Sequence, residues 1–387
     1  MTVRTPRGFR DILPLEAILR EHVSSRCQQV FNLWGYEPVE TPTLELSNGL
    51  EAVGYQGNTA FRLFDADGEL LVMRPDVTLP IARLVGGRLE LPVDNTALRL
   101  RYLQPVYREE RALRAQAREI TQAGVECIGT EGAAVDAEVL LMMAEALDAA
   151  GVSGYTIALC TVSVLRALLA ACVHSGQAEE SFERAVLAAW HKSDLVGVEQ
   201  LMNSSSIDPI LGQSLSALAR LRGTVDAIAQ CRQMLEQLTP QATTNLELAD
   251  LDRATKGLHL LDQTLTLLRQ IKPDTDWLVD FSVMSSFDYY TGMICAAYAP
   301  GSGYPLASGG RYDSTLAQFG KPAPAAGFAL SLERVIETLL TQGVDGEAMQ
   351  ADNQPQNIDF DAIDTVSAFR KAQELRASGQ RVVLRAK

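Results

Sequence analysis

The sequence predicts an α+β fold, and three observations carry that prediction. Leu98 to Glu110 and Arg118 to Ile128 alternate in side-chain character and are joined by a polar, Arg-rich loop, as two antiparallel strands would be. Strand-like segments return after Trp277. Between them, from about 162 to 272, the chain is rich in Leu, Ala and Gln, helical in period and nearly free of strand signals, which reads as an inserted helical subdomain.

In chain order, Leu15 to Trp34 is predicted as a helix, because Leu19, Val23, Cys27, Val30, Phe31 and Trp34 recur at helical spacing and Gly35 follows. Pro38 and Pro42 make the next segment extended. Asp67-Gly68 reads as a two-residue hairpin turn between apolar strands; an Asp-x-Asp-Gly cluster is also a calcium-loop fragment, but the other loop ligands are missing. Arg74, Asp76 and Thr78 close the second of these strands, and a helix starts at Leu79. Residues 131–151 form an amphipathic helix with Val135, Val139, Leu140, Met143 and Leu147 inward and Gly151 as its stop. Residues 156–160 are a buried strand. The segments around 277–299 and 307–316 are sheet, 325–340 is a strand running into a helix, 343–356 is a polar linker, and the tail is a short strand, helix and strand. The 387 residues thus divide into a core of 1–161 and 273–342, an insert of 162–272, and a C-terminal part of 343–387.

Composition excludes several classes. A net charge of -14 gives no general attraction for nucleic acid or anionic membrane. No apolar run approaches membrane-spanning length, and the N-terminus lacks the apolar stretch of a signal peptide, so a cytoplasmic protein is expected. Six scattered cysteines without CxxC spacing suit buried thiols in a reducing compartment, and four dispersed histidines give no metal signature. Gly301 and Gly303 lack the third glycine and the strand-turn-helix context of a dinucleotide loop, no phosphate-loop motif occurs, and no cofactor is expected.

On the central strand pair, Ile120, Gln122, Gly124 and Glu126 share one face and Thr121, Ala123, Val125 and Cys127 the other, with Tyr102, Gln104, Val106, Arg108 and Glu110 on one parity of the preceding strand. An amide, a gap and a carboxylate in a row require a polar partner if they face inward, because an unpaired buried charge costs several kcal/mol. A small zwitterion fits, with Gly124 leaving room on the backbone. A solvent-exposed sheet face shows the same alternation, so the pattern alone leaves both readings open.

Longer motifs point further. TPRGFRDILP, GYEPVETPTLE, VYREERALRAQAREITQAGVECIG and GFALSLERV, in that order, resemble the opening and the three class motifs of a class II aminoacyl-tRNA synthetase of the histidyl type, and FDYYTG and SGGRYD resemble its histidine-specific segments. The resemblance covers about residues 1–340. It implies a six-stranded antiparallel sheet flanked by helices, dimerising through the region around Pro42. It also implies that Asp76, Thr78 and Gln122 hold the ammonium and carboxylate of histidine, although Glu is usual where Asp76 stands. Glu126 and Tyr290, with Tyr289 beside them, would bond the imidazole, and Arg108 belongs to the same expected histidine-binding set.

The reaction apparatus departs from that family. Ser285 stands where the synthetases carry the arginine that faces the α-phosphate, and losing such a fixed charge commonly slows a reaction by a factor of hundreds or more. Gln116 replaces a second arginine, and Ser331 replaces a glycine before the last motif. Arg108, Arg311 and Arg334 remain, either to hold an anion or to brace the fold. At most the first strand, helix and strand of an anticodon-binding domain follow.

This combination resembles the regulatory subunits of ATP phosphoribosyltransferase. The resemblance implies a chain with no catalytic residues of its own, which pairs with the short-form catalytic subunit as a homodimer within a hetero-oligomer. It would activate that partner and carry feedback by histidine in the first step of histidine biosynthesis, without tRNA. A working histidyl-tRNA synthetase and an orphan synthetase paralogue are the alternatives.

Overall fold

A computed structural model describes residues 4–51, 60–92, 96–109, 117–174, 180–191, 194–204, 207–238, 248–283, 289–344, 355–360 and 364–386. The N-terminal helix α1 (Pro14–Leu33) begins with proline, whose missing N–H is no loss in a first turn, and buries Leu19, Val23, Cys27 and Phe31 along one stripe. Gly35, at φ +79°, turns the chain into β1 (Glu37–Pro38). Next come β2 (Leu44–Leu46), α2 (Ser47–Glu51), β3 (Arg62–Phe64) and β4 (Leu70–Met73), with the three strands forming a small antiparallel sheet in the order β2-β4-β3.

The turn between β3 and β4 is one residue longer than the sequence reading. Gly68 N–H donates to the Asp65 carbonyl at 3.2 Å, and Gly68 sits at φ +85°. Asp-Gly therefore fills the last two positions of a four-residue turn, not its centre, and the Asp65 carboxylate fixes this by accepting from the Asp67 and Glu69 amides at 3.0 and 2.9 Å.

Helix α3 (Thr78–Arg88) leads to the central pair β5 (Leu98–Tyr107) and β6 (Glu119–Ile128). Then follow α4 (Ala133–Ala150) and β7 (Thr156–Thr161). The helical block comprises α5 (Val162–His174), α6 (Glu180–His191), α7 (Leu195–Ser204), α8 (Pro209–Leu218), α9 (Val225–Leu238) and α10 (Leu248–Ile271). One short strand, β8 (Arg222–Gly223), interrupts it and pairs with β9 (Asp276–Asp280). The chain closes with β10 (Met293–Tyr298), β11 (Ala307–Arg311), a 3₁₀ turn at Leu316–Phe319, β12 (Ala325–Ser331), α11 (Leu332–Thr341), β13 (Gln356–Phe360), α12 (Thr365–Ala377) and β14 (Val382–Ala386).

Six strands, β5-β6-β12-β11-β10-β7, are mutually antiparallel and form the middle of the main sheet. The expected six-stranded core is thus present, and it is extended to nine. β1 joins parallel to β5 at one edge, and β9, parallel to β7, adds β8 at the other.

Val125, Cys127, Phe328 and Leu330 on one face of the sheet are buried in the same cluster as α1 and α4, with Phe31 and Phe328 edge to face at 5.7 Å. Helix α4 is buried nearly all round, Leu141, Met142 and Ala144 included, where an amphipathic helix was expected. It packs against α1 and β12 and also against α10 of the helical block, so little of its surface faces water.

Candidate functional site

The other face of the sheet carries polar side chains on a floor of small residues. Register places Leu100 opposite Glu126, Tyr102 opposite Gly124 and Gln104 opposite Gln122 across β5 and β6. Across β6 and β12, Glu126 meets Gly327, Gly124 meets Ala329 and Gln122 meets Ser331. Gly327 pairs in turn with Gly310 on β11. These glycines are required by what lies over them. A Cβ on Gly124 would strike the Tyr102 ring and the Phe328 carbonyl; on Gly327, the Glu126 carboxylate and the Val125 carbonyl; on Gly310, the Met293 carbonyl and, at 2.8 Å, the Tyr290 ring. The gap at Gly124, read from sequence as room for a ligand, is filled by Tyr102.

Glu126 is 1% exposed and sits at the centre. Its Oε1 accepts from Thr78 Oγ1 at 2.8 Å, which α3 delivers from its first turn, and its Oε2 accepts from Tyr312 Oη. Burial pushes its carboxyl up to about 8, against the pull of those hydrogen bonds and with the help of nearby Asp76. Asp76 is 2% exposed, and its Oδ1 accepts from the Leu79 amide at 3.2 Å, one of the unpaired donors of the α3 N-terminus. Burial raises Asp76 to about 6, and the Leu79 amide and Arg108 oppose the rise. Tyr102, Tyr289 and Tyr312 are all held well above the usual phenol range by burial, so they stay protonated donors. Tyr289 stacks near both Tyr290 and Tyr312, at 4.8 and 5.8 Å between ring centres.

Four buried polar atoms on this face have no hydrogen-bond partner: Asp76 Oδ2, Tyr102 Oη, Gln122 Oε1 and Ser331 Oγ. Only two other such atoms occur among the described residues, so the unsatisfied groups are concentrated here, as in a pocket that meets its partners on binding. Six of the seven expected site residues, Asp76, Thr78, Gln122, Glu126, Tyr289 and Tyr290, are brought to this one face by β6, the start of α3 and the approach to β10, and the seventh, Arg108, lies just past β5 beside Asp76. Ser285 and Gln116 lie outside the described residues. Sequence reasoning passed over Tyr312, which holds Glu126, and Tyr102, which covers Gly124; the signal for Tyr312 was its place in SGGRYD.

Comparison with known proteins gives the family. The family model for histidyl-tRNA synthetase matches residues 8–335. Proteins named ATP phosphoribosyltransferase regulatory subunit from Moorella thermoacetica and Shouchella clausii are 33% and 34% identical over 99% and 98% of this chain and 92% and 90% of their own. The chain belongs to the ATP phosphoribosyltransferase regulatory subunit family. A crystal structure titled as an ATP phosphoribosyltransferase regulatory subunit/histidyl-tRNA synthetase from Bacillus halodurans superposes with a TM-score of 0.82 at 30% identity, over 100% of this chain and 93% of that one. A histidyl-tRNA synthetase from Nostoc, at 21% identity and a TM-score of 0.77 over 100% and 86%, shares the fold.

Within this regulatory-subunit fold the three retained arginines have internal partners. Arg311 is 4% exposed and donates to Asp136 Oδ1 through Nε at 3.0 Å and Nη2 at 2.5 Å, and to Asp313 Oδ1 through Nη1 at 3.0 Å, so it braces β11 against α4. Arg334 donates to the Pro305 carbonyl at 2.8 Å with its guanidinium over the Tyr304 ring. Arg108 donates to the Pro75 carbonyl at 2.9 Å, beside Asp76. Gln104, on the same parity as Tyr102, is held by Arg74 Nη1 at 3.1 Å and Thr41 Oγ1 at 3.2 Å. All six cysteines are buried free thiols, no cluster of metal-ligating side chains occurs among the described residues, and no described helix is long and apolar enough to cross a membrane.

Proposed function

We propose that this chain is a non-catalytic, cytoplasmic regulatory subunit that assembles with the short-form catalytic subunit of ATP phosphoribosyltransferase, activates it, and lets histidine binding report the level of the end product. The observation that carries the ligand reading is the set of unsatisfied groups around Glu126. Asp76 Oδ2 and Gln122 Oε1 are acceptors for an ammonium, and Arg108 beside Asp76 offers a cation to a carboxylate. Glu126, Tyr290 and the neighbouring phenols present an acid and hydroxyls to a ring with two nitrogens. A site built to satisfy both nitrogens rejects analogues that lack them, because its buried polar groups would then be left unpaired.

For histidine to regulate, it must bind one state of the complex better than another, on the usual scale of about 1–3 kcal/mol, or 5- to 150-fold. The reading of Ser285 as a lost cationic position supports a chain that binds histidine without activating it. Homodimerisation is supported by the small sheet. Leu44, Leu46 and Leu63 share one face by register and are 40%, 48% and 38% exposed, an apolar surface suited to a second copy.

The deciding experiment is the rate of phosphoribosyl-ATP formation by a cognate short catalytic subunit, with and without this chain and then with histidine. Stimulation reversed by histidine is expected. Histidine-dependent ATP–pyrophosphate exchange by the purified chain, without stimulation of the partner, would instead identify a synthetase.

A further inference from the structure

Among the described residues, no cationic side chain pairs with the buried carboxyl of Glu126. The groups that face Glu126 come from every element around it: Thr78 from α3, Asp76 from the turn before it, Tyr102 from β5, Tyr289 and Tyr290 from the approach to β10, and Tyr312 after β11. One is acidic, the rest are neutral hydroxyls, and β12 offers only Gly327. The buried guanidinium of Arg311 is engaged by Asp136 and Asp313, and Arg108 lies against Asp76. An ionised Glu126 beside Asp76 would place two like charges in a dry site, which such a site avoids by keeping a proton on one of them.

We propose that the empty pocket stores a proton on Glu126 and hands it to the incoming imidazole, so that histidine binding near neutral pH exchanges no proton with solvent. The inference rests on the histidine reading above. In the step itself, the Glu126 O–H bond breaks, an N–H bond forms on a ring nitrogen, and a carboxylate–imidazolium pair is created in place. Thr78 and Tyr312 are already positioned to donate to both oxygens of the carboxylate that results. Asp76, lower than Glu126 because Arg108 and the Leu79 amide face it, is left ionised for the ammonium.

The two acids therefore divide the work by environment, and the consequence is a particular pH profile. The free imidazole titrates at about 6.5 and Glu126 at about 8. Between these limits, free ligand and free protein together carry the one proton that the complex holds, and affinity is level. Above about pH 8 the proton must come from solvent and affinity falls about tenfold per pH unit.

The test is calorimetric titration of histidine into the full chain at pH 7.4, in phosphate and in Tris, whose different ionisation enthalpies reveal the number of protons exchanged. Near-zero exchange is expected, with level affinity from pH 7 to 8. Uptake of close to one proton, with affinity already falling tenfold per unit above 6.5, would overturn the proposal while leaving histidine binding intact. The absence of binding at every pH would overturn the histidine reading itself. Glu126→Gln provides a second check: if it binds at all, the fall above pH 8 relative to wild type should disappear, because titration of the ligand's amino group is common to both proteins.

Discussion

Replacing Arg311 with leucine separates the two roles that its sequence position allows. The structure gives its guanidinium three hydrogen bonds to Asp136 and Asp313, all charge-assisted. The two carboxylates respond differently to its loss. The Asp313 side chain is 35% exposed and can rehydrate, whereas that of Asp136 is 3% exposed and would remain buried with no counter-ion. Removing one partner of a buried pair costs about 3–5 kcal/mol, mostly through the charge left behind. Arg311→Leu should therefore lower the free energy of unfolding by that amount in urea titrations at pH 7. The variant's Asp136 should then hold its proton more tightly folded than unfolded, so relative to wild type the variant recovers stability as the pH is lowered. Arg311→Leu/Asp136→Leu should regain most of the loss, since neither charge remains to be buried. If the single variant loses less than about 1 kcal/mol, Arg311 is not a brace, and the anion-holding role that the resemblance allows would be favoured instead.

Three further substitutions test the site and the assembly. Gly327→Ala should abolish histidine binding in calorimetry while costing about 1–3 kcal/mol in the melt, because the added methyl meets the Glu126 carboxylate and the Val125 carbonyl. Tyr312→Phe removes one of the two donors to Glu126, at about 1–3 kcal/mol, so histidine affinity should fall roughly 5- to 150-fold and the high-pH limb should move upward. Leu46→Asp places a charge on the exposed apolar face of the small sheet and should shift sedimentation from dimer to monomer without changing the melting temperature by more than a few degrees.

The parts of the fold that were legible in the sequence are those where local pattern and tertiary role coincide. Helix α1 has one apolar stripe and a glycine stop, so it reads correctly to within a residue at each end. The β5–β6 pair reads from its alternation, since Leu100, Tyr102, Gln104 and Val106 are buried along one parity of β5. What failed was a matter of space. Period-two patterning places Tyr102 and Gly124 on one face, but only register shows that they are opposite one another and that the ring occupies the gap. Helix α4 looked amphipathic because a sequence cannot reveal that a second helical layer covers its outer side. Tyr312 is about 190 residues from Glu126, and its bond depends on β11, β12 and β6 lying side by side.

The paired acids also make a claim about stability in the absence of ligand. Both Asp76 and Glu126 have folded-state values raised above their unfolded ones, so each contributes stability that is fully present below the unfolded value and is lost as pH rises through the folded value. For Glu126 the rise from 4.5 to about 8 corresponds to at most on the order of 5 kcal/mol, lost progressively between pH 4.5 and 8. The histidine-free chain should accordingly grow less stable across that window, and Glu126→Gln, which cannot ionise, should have a flatter profile. Histidine supplies the cation that Glu126 lacks, so a saturating concentration should raise the melting temperature by a similar amount at pH 7 and pH 8, because affinity is level over that range. If the free wild-type chain and Glu126→Gln lose stability in parallel over that range, Glu126 is not the group that titrates. A pocket that is unstable when empty gives a regulatory protein something a rigid one lacks: a folded-state free energy that changes with ligand, which is the quantity that coupling to a partner requires.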